Sequence, residues 1–300
     1  MKPAAFDYAR PATLDEACAM LAATEDDVRI IAGGQTLVPL MAMRLARPKR
    51  LIDIARIPGL AFVRREGDVV AIGATTRQCV LEHDPIVRAD LPLLAQVMPF
   101  VGHAPTRARG TIGGSLANAD PAAEMALVAV TLGATLCWRE GPDTAEIPAA
   151  DFLIGPMTTA LPAAACLTSV RFPVWREERI GTGFHEVNAR RSDFAFASAA
   201  AQIALDESGL CRRVALGIGA VTPSPLRLDA AAKALEGTRA EGTKVRDAVR
   251  AALADLESKI EILSDPHASA DYRRRVAVTL AVRAVADAYQ AAVSGGAHAR

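Results

Sequence analysis

Apolar and polar positions repeat along this chain with two periods, and the switches between them mark out its elements. In "TLDEACAMLAA" (13–23), Leu14, Ala17, Cys18 and Leu21 form one helical stripe, with Thr13 and Glu16 as a capping box. The β-branched run "VRIIA" (28–32) reads as a short strand. "LVPLMAMRLA" (37–46) predicts a helix with Pro39 in its first turn, and "RLIDI" (50–54) a second strand. This β–loop–α–β order fills residues 1–55.

A second unit covers 56–177. "DVVAIGA" (68–74) is a strand, "TTRQCVLEH" (75–83) a helix with a capping threonine, and "LPLLAQVMPFVG" (91–102) an apolar helix. In "DPAAEMALVAVTLG", Asp120 predicts an N-cap, Pro121 fits N1 and Gly133 fits the C-terminal stop. "ATLCW" (134–138) returns as a strand, and one more lies within 161–178. A third unit, 178–293, has a different character. "FASAAAQIALDESGLCRRVALGIGAV" (196–221) predicts two strands joined at Glu207, Ser208 and Gly209. Alanine-rich helices follow at 229–236, 243–257 and 271–292, then a disordered tail at 294–300.

Composition narrows the function classes. Three hundred residues exceed what one core serves, which agrees with three units. No uncharged run reaches the roughly 20 residues of a membrane-spanning helix. The opening "MKPAAFDYARPATLDEA" has no apolar h-region of a secretory signal. Net charge is zero, and the densest basic clusters, "RPKR" (47–50) and "YRRRVAV" (272–278), read as solvated faces rather than a nucleic-acid surface. Cys18, Cys79, Cys137, Cys166 and Cys211 form no CxxC pair, which argues against a zinc site or iron–sulfur cluster in this chain and suits buried thiols in a reducing cytoplasm.

Two glycine pairs carry the candidate chemistry. "IIAGGQTLVPL" and "GTIGGSLANADPAAE" each set Gly-Gly between a strand-like and a helix-like segment. The P-loop pattern is absent, and "GTGFHE" and "GIGAVT" lack the third glycine of a dinucleotide fingerprint. Glycine permits positive φ and removes Cβ, so successive N–H groups can converge on an anion. Gln35, Thr36, Thr111 and Ser115 add side-chain donors, but neither segment offers a lysine. The pairs are either two tight turns or two halves of a clamp for a diphosphate that stays bound.

"AGGQTLVPLMAMRLARPKRLIDI" and "GHAPTRARGTIGGSLANADPAAEMA" resemble the two flavin-binding signatures of the molybdenum hydroxylase FAD subunit family. "FDYARPATLDEACAMLA", "DFLIGPMTTAL" and "FHEVNARRSDFAFASAA" are similar to it too, so the resemblance spans nearly the whole chain. It implies an α+β chain with a PCMH-type FAD-binding fold of two small subdomains, followed by an α+β C-terminal domain of the carbon monoxide dehydrogenase flavoprotein type. Carried over by position, Ala32, Gly33, Gly34, Gln35, Thr36 and Leu37 wrap the diphosphate of a non-covalent FAD, and Thr111, Ile112, Gly113, Gly114 and Ser115 hold it from the other side. Asp120 and Glu124 contact the ribityl and adenosine parts, although each also suits a plain helix start. Leu167, His185 and Phe194 fall near the flavin ring. Leu167 and Phe194 have ordinary core roles as alternatives, and His185 stands where some relatives have lysine.

The resemblance implies no catalytic base in this chain. It implies a large molybdopterin subunit that oxidises substrate, a small subunit with [2Fe–2S] clusters, and a dimer of such heterotrimers. The complex is cytoplasmic, with any membrane association through its electron acceptor. The competing readings are a self-contained flavin oxidase and a scaffold that has lost its cofactor.

Overall fold

The computed structural model describes residues 2–23, 27–257 and 260–295. Three sheets of three to five strands and one two-stranded hairpin organise the described residues. The first unit contains β1 (Asp7–Ala9), α1 (Leu14–Ala22), β2 (Val28–Ile31), α2 (Leu37–Ala42) and β3 (Arg50–Asp53). Its strands are parallel in the order β1-β3-β2. Thr13 caps α1 by accepting from the Glu16 amide at 3.2 Å, and Glu16 accepts from the Ala12 amide at 2.7 Å. The expected helix over 37–46 stops at Ala42, because Arg44 turns left-handed at φ 61°.

The second unit begins with β4 (Val63–Glu66) and β5 (Val69–Gly73). Six helices follow: α3 (Gln78–Leu81), α4 (Pro85–Asp90), α5 (Pro92–Val97), α6 (Ala104–Arg109), α7 (Ile112–Asn118) and α8 (Glu124–Leu132). It closes with β6 (Thr135–Glu140), β7 (Asp143–Pro148), α9 (Ala149–Phe152), a small hairpin of β8 (Leu153–Gly155) and β9 (Thr158–Thr159), and β10 (Ala165–Pro173). The antiparallel sheet runs β4-β5-β10-β6-β7. Two expected caps fail. Arg77, not a threonine, precedes α3, while Thr76 turns inward and its hydroxyl bonds both backbone groups of Phe62 at 3.0 Å. α8 begins after Ala123, and Asp120 instead closes a turn by accepting from the Ala122 amide at 2.9 Å. The expected helix over 91–102 tightens into a 3-10 turn at Met98–Phe100.

The third unit has an antiparallel sheet of β11 (Ile180–Val187), β12 (Ala197–Leu205), β13 (Cys211–Gly219) and β14 (Leu226–Arg227). Helices α10 (Asp229–Leu235), α11 (Gly242–Glu257) and α12 (Ala270–Val293) follow it. α12 is long and apolar enough to cross a membrane, but its Ala277, Ala281, Ala284 and Ala288 are buried against this sheet. Gly181 and Gly183 make that approach possible: a Cβ at either would fall about 2 Å from the carbonyl oxygens of Ala288 and Ala284. Residues 296–300 of the expected tail lie outside the described residues.

Shared cores fix how the units sit. Cys166 of β10 packs in the core of the first unit, and Phe184 and Ala200 of the third pack in that of the second. Burying such side chains contributes roughly 1.5–3 kcal/mol each for the larger ones, so both seams are part of the fold.

Candidate functional site

Between β2 and α2 the backbone turns through Gly34 at φ +71°, a conformation only glycine adopts without strain. A side-chain bond closes the turn: the Gln35 amide Nε2 donates to the Gly33 carbonyl at 3.1 Å. The backbone N–H groups of Gly33, Gly34, Gln35 and Thr36 donate to no other described residue. Four successive donors without a partner among the described residues, in a loop open to solvent, are free to bind an anion.

The loop forms part of a cleft of about 650 Å³ between the first and second units. Arg10, Arg56, Arg77 and Arg109 line it, and among the described residues Asp53 is the only acid that does. Four positive groups against one negative favour an anionic ligand. Tyr8 also lines the cleft; its hydroxyl donates to Asp53, which, with some burial, raises the phenol's pKa. Gly33 is where the two units touch: a Cβ there would lie 2.5 Å from the Arg109 carbonyl oxygen and 2.8 Å from Gly110 Cα.

The second glycine pair differs from the expectation of a second set of free amides. Gly113 and Gly114 lie inside the first turn of α7, and their donors are already engaged. Ile112 donates to the Thr76 carbonyl at 3.1 Å, Gly113 to Ala74 at 2.9 Å and Ser115 to Thr111 at 3.1 Å. Gly114 donates to the capping Thr111 hydroxyl at 3.0 Å. Gly113 is required by packing, since a Cβ would fall 2.6 Å from the Ala74 oxygen. Gly114 is exposed and Ser115 half-exposed, so this segment offers a small surface and a hydroxyl rather than free amides.

The remaining candidates divide. Glu124 opens α8 at the seam with the third unit, and burial pushes its carboxyl up to about 8, helped by the charges of Glu186 and Asp120. Burial likewise raises Glu186 to about 7, and raises Asp120 against the Ala122 amide bond. A carboxyl raised in the folded state stabilises the fold below its unfolded value and loses that contribution as pH climbs through the folded one. The wild-type chain is therefore expected to lose stability between about pH 4.5 and 8 at this residue. Glu124→Gln is expected to melt with the wild type near pH 4.5 and above it at pH 8.5. Equal melting at both pH values contradicts this.

Leu167 is 4% exposed in the second unit's core, opposite Trp138 of β6. Phe194 is 71% exposed, which removes the core alternative. His185 is not brought to this group. Strand alternation puts it on the face of β11 that Gly181 and Gly183 turn to α12, and its Nε2 lies 2.8 Å from the Asp287 carboxylate of that helix. The opposite face presents Phe184, whose ring meets Phe100 at 4.9 Å, and Glu186. Sequence reasoning missed Glu186, and it missed the four cleft arginines because each comes from a different segment.

Two family models together match most of the chain. The family model described as the FAD binding domain in molybdopterin dehydrogenase matches residues 4–175, and that of the CO dehydrogenase flavoprotein C-terminal domain matches 182–288. The chain therefore belongs to the FAD-binding subunits of the molybdenum hydroxylases. It is 35% identical to the carbon monoxide dehydrogenase medium chain of Afipia carboxidovorans, over 95% of this chain and 97% of that one. It is 36% identical to the caffeine dehydrogenase subunit beta of Pseudomonas sp. strain CBB1, over 96% of each. Carbon monoxide dehydrogenase from Hydrogenophaga pseudoflava superposes with a TM-score of 0.90 at 32% identity, covering 97% of this chain and 99% of that one. The α+β fold, the FAD-binding role and the oxidoreductase class follow from this membership.

Proposed function

We propose that this chain is the electron-transfer subunit of a three-subunit molybdenum hydroxylase. It takes electrons from [2Fe–2S] clusters on a small partner and delivers them to an external acceptor, while a large molybdopterin partner oxidises the substrate. The complex is a dimer of such heterotrimers in the cytoplasm. The observation that carries the reading is the set of four unspent amides at Gly33–Thr36 within an arginine-lined cleft. Those groups fit a diphosphate: the donors are fixed in place, and the charge is of the right sign.

Ala32–Leu37 hold the diphosphate, with the cleft arginines supplying charge. Thr111–Ser115 close the site from α7, through Gly114's open surface and the Ser115 hydroxyl. Asp120 and Glu124 meet the ribityl and adenosine parts, and Leu167 and Phe194 lie toward the ring. The domain divisions at 55 and 177 belong to the same reading. Bound FAD supplies one- and two-electron redox chemistry; the chain supplies binding, orientation and charge. No side chain is assigned as a general base.

The self-contained oxidase reading finds less support, because relatives across the chain's full length are named as subunits or chains of larger enzymes. Acid precipitation of the native protein separates the two. Flavin is expected wholly in the supernatant; flavin retained on the precipitated chain contradicts non-covalent binding.

A further inference from the structure

The run "YRRRVAV" reads as a solvated face, yet its first arginine is almost inaccessible. Arg273, near the start of α12, is 4% exposed. Four of its five N–H donors are engaged among the described residues. Nη1 donates to the carbonyls of Phe196 and Ala220, each at 2.6 Å, Nε donates to Ala268 at 3.3 Å, and Nη2 pairs with the Asp265 carboxylate. Asp265 is itself fixed, accepting the amides of His267 and Ala268 at 2.8 and 2.9 Å. A planar fork with five donors satisfies such a set; an ammonium group does not.

The two carbonyls are informative because of what they terminate. Phe196 ends the loop that carries Phe194, and its own amide donates back to Val187 at 2.7 Å. Its ring stacks on His267 at 6.2 Å. Ala220 lies beyond the end of β13 at φ +59°, and its amide donates to the Pro121 carbonyl at 2.8 Å, next to Asp120. One nitrogen of one side chain thus bridges the base of the Phe194 loop and the contact that holds the Asp120–Glu124 segment. Neither segment is otherwise tied to the other in sequence.

We propose that Arg273 is a positioning residue for the FAD site, fixing the Phe194 loop and the Asp120–Glu124 segment in one mutual arrangement. This rests on the reading that FAD binds between those segments. The arginine touches no part of the cleft, so it acts only through the two carbonyls.

The full-length chain tests it, as wild type, Arg273→Lys and Asp265→Asn, each titrated with FAD. Arg273→Lys keeps the charge and loses the fork. It is expected to bind FAD about tenfold more weakly, the effect of losing roughly one well-made buried hydrogen-bond set, and to show a changed visible circular dichroism of the bound flavin. Asp265→Asn keeps the acceptor for the two amides but weakens the ion pair, and is expected to shift the spectrum the same way by less. Wild-type affinity and spectrum in a folded Arg273→Lys overturn the proposal. Should that variant fail to fold, an unchanged spectrum in Asp265→Asn overturns it. A wild-type chain that binds no FAD overturns the underlying reading instead, and the wild-type titration alone reveals that.

Discussion

Replacing Gly34 with valine is expected to give a folded chain that binds FAD at least about tenfold more weakly, since a strained φ of this kind costs on the order of 1–3 kcal/mol. Space is not the main obstacle: a Cβ would meet only the flexible ends of Val38 and Ile31, at 3.1 and 3.3 Å. The obstacle is φ +71°, which a β-branched residue strongly resists. The loop must change shape, and the arrangement of its four free amides changes with it. Flavin content after gel filtration and far-ultraviolet circular dichroism check the two halves of this expectation. Gly114→Val is expected to do less, because Gly114 lies within α7 and not at a positive φ, although a Cβ there falls 2.8 Å from the Thr111 hydroxyl, which must shift. Equal losses at the two positions contradict the assignment of the free amides to the first loop alone.

Arg109→Gln carries the second large effect. Arg109 lines the cleft with an exposed side chain, so its loss removes charge without emptying a core. A hydrogen bond to a charged group contributes about 1.5–3 kcal/mol, so FAD affinity is expected to fall roughly 10- to 100-fold. The salt dependence of binding is expected to flatten with it, because a screened attraction has gone. Titration at low and high salt reads both. Arg77 is a poorer probe, since its guanidinium also donates to the Arg109 carbonyl and holds the seam.

The first loop is legible from residues alone: a β-branched run, two glycines and a helical stripe specify a turn whose amides have nowhere local to go. The second pair is misleading for a physical reason. Thr111 is as good a helix cap as a ligand, and Gly113 answers a packing demand from Ala74, far away in sequence. Single-sequence patterns do not register such contacts. The cleft arginines illustrate the same limit, since 10, 56, 77 and 109 share no spacing. His185 is different, because parity alone places it with Gly181 and Gly183, on the face that a helix must cover. Arg273 shows the opposite case: within a run of three arginines, nothing local marks the one that is buried. The large elements, β12, β13 and the three C-terminal helices, fall close to where the sequence pattern predicts them, because the helices each bury an apolar face and the strands are buried over most of their length.

Native purification of the tagged chain, with identification of co-purifying chains and assays for flavin, iron and molybdenum, decides whether this is one subunit of a larger enzyme. The expected result is three chains in fixed proportion carrying FAD, iron and molybdenum together. A single chain carrying FAD with neither metal contradicts it.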